Sequence, residues 1–215
     1  MKYVALDIES VGLRPYGGKI WMIAICGADL KPKVYHDCNG IKKCPAEVKA
    51  LLEDKTICKV IHNAEFDLPY LELVLGVKGV NIWDTMVCEK VIQGVTIPDT
   101  KVTEEFREAH SASLKYTLKR YGLPYADKTI RENFINRRPG TPFTKAEIDY
   151  VKADVYPLLP LRKAQEQLLT RDELLEVALL DNKMVEKIAR MRVVGIGCDK
   201  WKWLEVADSN LSEYK

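Results

Sequence analysis

Apolar residues in the first ninety positions fall into short runs with little helical rhythm between them. Tyr3 to Ile8 is branched, aromatic and alternating, which predicts a strand. Ile20 to Cys26 is almost continuously apolar and predicts a second, fully buried strand, with a third over Lys33 to His36. The links between these three are short, as in an antiparallel meander. The pattern then changes. Pro45 to Leu52 reads as a helix with proline in its first turn, Ile57 to Ile61 as a buried strand, and Leu68 to Leu75 as a helix entered through Pro69. Val80 to Trp83 predicts a last short strand and Thr85 to Ile92 a helix.

Beyond that point only helices are expected. Val95 to His110 is polar and irregular and reads as a loop. Ser113 opens a helix that Gly122 stops. Lys128 to Pro142 is basic, carries Pro139-Gly140, and reads as another loop. Thr144-Lys145-Ala146-Glu147 has the capping-box spacing, so a helix should run from there until Pro157 and Pro160 bend or interrupt it. Glu173 to Val194 is helical, and a last helix starts near Asp199. The order predicts an α/β fold with a mixed five-stranded sheet, flanking helices and a C-terminal helical extension. The expected division is a domain over residues 1–170 and a helical extension over 171–215.

Composition narrows the class without naming the chemistry. The 215 residues are 47% hydrophobic and 30% charged, an ordinary globular balance. Charge is nearly even (33 − 31 = +2), so no global field advertises a polyanionic partner. The six cysteines show no CxxC spacing, which argues against zinc. No apolar run is long enough to span a bilayer, so no membrane partner is expected. The absence of a signal sequence and a first strand at Tyr3 point to a bacterial, archaeal or viral protein acting in the cytoplasm. A phosphate-loop reading of Gly12 to Lys19 fails, because the lysine is one position off and Ile20 replaces the required hydroxyl.

Three short segments carry the candidate chemistry. Asp7 and Glu9 are one residue apart on a strand and so share a face. Such a pair is also what a solvated strand end looks like, whereas a hard divalent cation would reconcile the two charges. Asn63 and Asp67 follow the buried strand directly, at the sheet edge where open α/β folds place their chemistry, although Asp67 also suits a helix start on dipole grounds. Tyr150 and Asp154 are four apart, hence one turn apart on one helix face. Each segment alone has a plain structural explanation.

Taken in order, Asp7-x-Glu9, Asn63-xxx-Asp67 and Tyr150-xxx-Asp154 resemble the three motifs of the DEDD exonuclease superfamily, and the tyrosine resembles its DEDDy branch. The resemblance implies a ribonuclease H-like fold and hydrolysis of phosphodiester bonds from a 3′ end, releasing nucleoside 5′-monophosphates. It implies two divalent ions, Mg2+ or Mn2+, clamping the attacking and leaving oxygens. Asp7, Glu9 and Asp154 would hold one ion. Asp7 would bridge to the second, with Asp67 supporting it, and Tyr150 would orient the attacking water. Asn63 matches a motif asparagine, and Leu13 matches a position that wedges against the terminal base.

Within that branch, Trp83-Asp84-Thr85-Met86, Ser113-Leu114 and the tail from Val185 to Asp199 are most similar to the proofreading domain of family A DNA polymerases. Asp84 lies outside the metal motifs and reads as structural. The substrate expected on this resemblance is the 3′ end of single-stranded DNA, with RNA not excluded. The chain would then be continuous with a polymerase region absent here, or be a stand-alone exonuclease that kept this tail. The alternative is a ribonuclease D-like exoribonuclease, whose third motif Tyr150 to Leu159 resembles equally well. A catalytically silent scaffold domain is a third class, which the complete set of acids and the tyrosine disfavours. For substrate contact, residues 101–140 carry nine Lys/Arg against five Asp/Glu with aromatic residues interleaved. Arg131, Arg137 and Arg138 are the expected phosphate contacts.

Overall fold

In the computed structural model, which describes residues 2–94, 103–126 and 128–213, a five-stranded sheet is covered by helices on both faces. Strands β1 (Lys2–Ser10), β2 (Ile20–Cys26) and β3 (Pro32–His36) form the predicted antiparallel meander. Helix α1 (Ala46–Glu53) leads to β4 (Ile57–Ile61), and α2 (Ala64–Leu75) leads to β5 (Ile82–Asp84). Both crossovers return parallel, giving the order β3-β2-β1-β4-β5. The mixed sheet is as the sequence pattern predicts.

β1 shows why the sheet has two cores. Val4, Leu6 and Ile8 point to one face and Ala5 to the other, as the two-residue period requires. The first face packs on residues of α1 and α2, including Val48, Leu52, Leu68 and Leu71. The second is roofed by α3 (Thr85–Gln93) and by helices from the second half of the chain. β2 is buried along its whole length, which accounts for its unbroken apolar run.

The second half is more helical than its composition suggests. Two segments expected to be loops contain helix: α4 (Glu104–His110), and, after α5 (Leu114–Arg120), a 3₁₀ turn (Lys128–Arg131) running into α6 (Glu132–Ile135). Residues 95–102 of the first expected loop lie outside the described residues. α4 is started by the Thr103 side chain, which accepts from the Phe106 N–H at 3.2 Å. It is held to α5 by Arg120, which donates to the Glu108 carbonyl at 2.8 Å and to the buried Glu89 of α3 at 2.8 Å. α6 is anchored by Phe134, which is fully buried and whose carbonyl accepts from Trp21 Nε1 at 3.0 Å. These long-range anchors override the polar local pattern.

α7 (Lys145–Val155) begins with the predicted capping box. Thr144 Oγ1 accepts from the Glu147 N–H at 3.2 Å, and Glu147 accepts from the Thr144 N–H at 2.7 Å. The helix stops at Tyr156, because Pro157 has no N–H to continue it. α8 (Leu158–Arg171) follows, and it tolerates Pro160 in its first turn. α9 (Leu175–Val194) packs along α2, α3 and β5, burying Ala178, Asn182, Val185 and Ala189. α10 (Lys200–Glu213) is exposed throughout its described side chains, including Trp201 and Trp203. No helix among the described residues is long and apolar enough to cross a membrane.

Candidate active site

The site is built where β1 outruns β4. Pairing between the two ends at Ala5 with Val60, so the far end of β1 has a backbone edge that no parallel neighbour covers. Asp67, in the first turn of α2, fills part of that edge. Its Oδ1 accepts the Ile8 N–H at 3.2 Å, and the side chain is 3% exposed. Asp67 therefore sits inside α2, which starts four residues earlier than the pattern around Pro69 predicts.

Asp7 and Glu9 point from the face of β1 opposite to Leu6 and Ile8, toward α7. From α7 comes Asp154. One carboxylate oxygen from each of Asp7, Glu9 and Asp154 lies within 4.8 Å of the others. Glu9 and Asp154 are each 7% exposed. Burial first, and then repulsion from Asp7 and Asp154, holds the Glu9 carboxyl well above the usual carboxylate range, while Arg131 acts in the opposite sense. Asp67 is likewise raised, by burial and by Asp7. Acids crowded in this way are mutually destabilising, and an all-oxygen donor set of this span suits a hard divalent cation. The residues fit the ion that the motif pattern implies.

Tyr150 is buried one turn before Asp154, with its hydroxyl hydrogen-bonded to that carboxylate. Burial and the surrounding Asp154, Glu9 and Asp7 charges push the phenol far above its ordinary value. A phenol held in that direction suits positioning a partner rather than accepting a proton.

The carboxylates open into a cleft of about 400 Å³. Leu13 and Asn63, both expected as substrate contacts, line it, and Leu13 is 74% exposed at its rim. Asn63 is the turn residue before α2 and adopts the left-handed conformation (φ 65°), which asparagine accepts more readily than most residues. Arg131 lines the cleft as expected, from the end of the 3₁₀ turn. Arg138 is exposed but is not part of the lining.

Arg137 is not brought to the cleft. Its side chain is 5% exposed, and its guanidinium pairs with Glu147 at 2.6 Å, donates to the Thr141 and Pro142 carbonyls, and lies over the Phe143 ring at 4.0 Å. The expectation of a phosphate contact there is corrected: Arg137 fastens the preceding loop to the start of α7.

Other functional positions carry no motif. Phe134 and Ile135 form part of the cleft wall from the segment expected to be a loop. Nothing local marks them, since their placement follows from the Trp21 anchor. Asp84 is structural, as its place at a strand-to-helix junction implies, but its reach is wider than one cap. Its carboxylate accepts the N–H groups of Met86 (2.8 Å) and Val87 (3.3 Å) at the start of α3. It also accepts those of Asn63 (3.0 Å) and Ala64 (2.7 Å) at the start of α2.

Comparison with solved structures finds the same fold among nucleases. Brucella melitensis NrnC with bound Mg2+ superimposes with a TM-score of 0.69 at 25% identity, covering 90% of this chain and 86% of that one. NrnC from the same organism bound to pGG gives a TM-score of 0.71 at 24% identity, covering 90% and 85%. Escherichia coli RNase D, an exoribonuclease involved in structured RNA processing, gives 0.65 at 21% identity. There the match covers 90% of this chain but 46% of the other. Comparison with curated protein sequences gives no match. The sequence profile of the 3′-5′ exonuclease family matches residues 1–170, a span that contains every residue of the carboxylate site and Tyr150. The chain belongs to the 3′-5′ exonuclease family and to the DEDD-type superfamily of nucleases.

Proposed function

We propose that this chain is a metal-dependent 3′-5′ exoribonuclease of the DEDDy type, acting on short or single-stranded RNA 3′ ends in the cytoplasm with two Mg2+ or Mn2+ ions. The observation that carries the hydrolytic reading is the Asp7, Glu9 and Asp154 cluster within 4.8 Å, with Asp67 beside it. Bound divalent ions would lower the pKa of a water and stabilise charge on the attacking and leaving oxygens. Asp7, Glu9 and Asp154 would hold one ion, and Asp7 the other, with Asp67 supporting it through water. The remaining work falls to the chain's own groups. Tyr150, tied to Asp154, orients the attacking water. Leu13 lies against the terminal base at the cleft rim, Asn63 binds the terminal nucleotide, and Arg131 meets a phosphate.

The choice of RNA is supported by the similar structures, NrnC bound to pGG and RNase D, an exoribonuclease involved in structured RNA processing. Proofreading within a family A DNA polymerase is the second reading. It rests on the tail pattern from Val185 to Asp199 and would make single-stranded DNA the substrate. The deciding experiment is side-by-side digestion of 5′-labelled RNA and DNA oligonucleotides of two to twenty nucleotides with Mg2+, since a site that tolerates or requires a 2′-hydroxyl separates them. Stepwise shortening of RNA from the 3′ end, faster than DNA, is the expected result. Faster DNA digestion would return the substrate to the proofreading reading. Loss of cleavage on both, in metal-replete protein, would remove the hydrolytic one.

A further inference from the structure

Helix α9 lies beyond the residues matched by the family profile, yet it braces the cleft on two sides. On the first side, Asn182 is 3% exposed and sits against β5. Its Oδ1 accepts the backbone N–H of Asp84, and its amide donates to the Ala178 carbonyl at 2.7 Å and toward Cys88 Sγ at 3.3 Å. Asp84 in turn accepts from the Asn63 and Ala64 N–H groups, the turn that opens α2 and carries Asp67 one helical turn later. Asn63 is left-handed there, a conformation that surrounding bonds must maintain.

On the second side, the last turn of α9 meets the loop between β1 and β2. The Tyr16 hydroxyl lies 2.8 Å from both the Arg192 and the Val193 carbonyls, groups that a helix end leaves without a partner of its own. Arg192 also pairs at 2.6 Å with Glu65, two residues before Asp67. Leu13 stands three residues before Tyr16 on the same loop. The root of that loop is gripped separately by the Tyr70 hydroxyl, 2.7 Å from the Val11 carbonyl and 3.0 Å from that of Arg14. Gly18 allows this close approach, because a Cβ there would stand 2.7 Å from the Tyr70 ring. Tyr70 therefore fixes where the loop leaves the sheet, and Tyr16 fixes where its tip rests.

We infer that α9 is a positioning helix for the cleft. Asn182, acting through Asp84, sets the turn that presents Asn63 and Asp67, and Tyr16, clasped to the end of α9, sets Leu13 over the cleft mouth. The inference rests on the exonuclease reading for its kinetic consequences but not for its structural ones. Asn182 and Tyr16 are positioning residues, since neither lines the cleft.

Two variants separate positioning from simple support. Tyr16→Phe removes one oxygen from a side chain that is 61% exposed, so melting should stay within about 1 °C while KM for a short RNA rises about two- to ten-fold and kcat holds. Asn182→Leu keeps the volume and removes the acceptor. At a temperature well below its own melting point it should lower kcat, and calorimetric titration with Mn2+ alone should show binding weakened several-fold. If both variants keep wild-type KM, kcat and Mn2+ affinity, with only melting altered, α9 is a support and the inference is wrong. The Mn2+ titration needs no nucleic acid. An inactive wild type whose Mn2+ binding is still weakened by Asn182→Leu would sink the exonuclease reading and leave the positioning role standing.

Discussion

Replacing Glu9 by glutamine should abolish the reaction and, without metal, make the protein more stable. Two unit charges at 4.8 Å repel by about 3–4 kcal/mol at an effective dielectric near 20. Glu9 faces two such neighbours, Asp7 and Asp154, with Asp67 further along. A buried carboxyl escapes part of this by keeping its proton. At a pH of about 7.5 that escape costs up to ~4 kcal/mol, set by the distance from an ordinary glutamate pKa of ~4.3. Asp7 is only partly buried and so screened, which brings the net relief from Glu9→Gln to about 2 kcal/mol. For a chain of this length that is a melting temperature higher by about 4–8 °C. The assay is thermal unfolding followed by circular dichroism, in EDTA and in Mg2+. In EDTA the variant should melt above the wild type. In saturating Mg2+ the order should reverse, because the wild type gains the free energy of ion binding and the variant has lost a ligand. A variant that melts at or below the wild type in EDTA would refute the charge-crowding argument. One that still degrades RNA at near wild-type rates would refute the ligand assignment.

The same crowding fixes a pH trend. Glu9 and Asp67 have folded-state pKa values above their unfolded ones, so their contribution favours the fold at low pH and is lost as pH rises through the folded values. Metal-free protein should therefore gain stability as pH is lowered from above neutral towards the ordinary carboxylate range, and saturating Mg2+ should flatten the trend in the same melting scans. Asp7→Ala and Asp154→Ala should each reduce cleavage at least ~10³-fold with the circular dichroism spectrum unchanged, and Asp7 should cost the more of the two; single-turnover assays with labelled RNA measure this. Tyr150→Phe removes a hydrogen bond and no ligand, so its loss should be only about ten- to a hundred-fold, measured in the same assay. The two arginines should part company. Arg137→Ala strands the buried Glu147 and should cost about 3–5 kcal/mol in denaturant unfolding, whereas Arg131→Ala should change melting little in saturating Mg2+, raise KM and flatten the salt dependence of binding.

What could be read from the chain divides along a physical line. The sheet and the carboxylates were legible because their signals are local: strands over Tyr3–Ile8, Ile20–Cys26 and Ile57–Ile61 show in the branched and apolar runs, and the face shared by Asp7 and Glu9 follows from a two-residue period. The Thr144 capping box is equally local, and it sets the helix phase that presents Tyr150 and Asp154 on one side. The wall of the cleft was not legible, because it is held by bonds that span the sequence. Phe134 and Ile135 lie in a basic, proline-bounded stretch whose local preference is loop, and their place depends on a hydrogen bond to Trp21, more than a hundred residues earlier. Arg137 illustrates the converse error: a basic loop residue suits phosphate by composition, but Glu147 and Phe143 together give the guanidinium a buried partner and a ring. The capping-box glutamate that made α7 predictable is the same carboxylate that withdraws Arg137 from the substrate, so one signal, read only for its local meaning, both succeeded and misled. Asp84 and Asn182 extend the point. An aspartate before a helix announces a cap, whereas an asparagine nearly a hundred residues later announces nothing until α9 is packed against β5. Chemistry that needs residue types at fixed local spacing is therefore visible from sequence in this fold, and the geometry that positions it must be found in the packing.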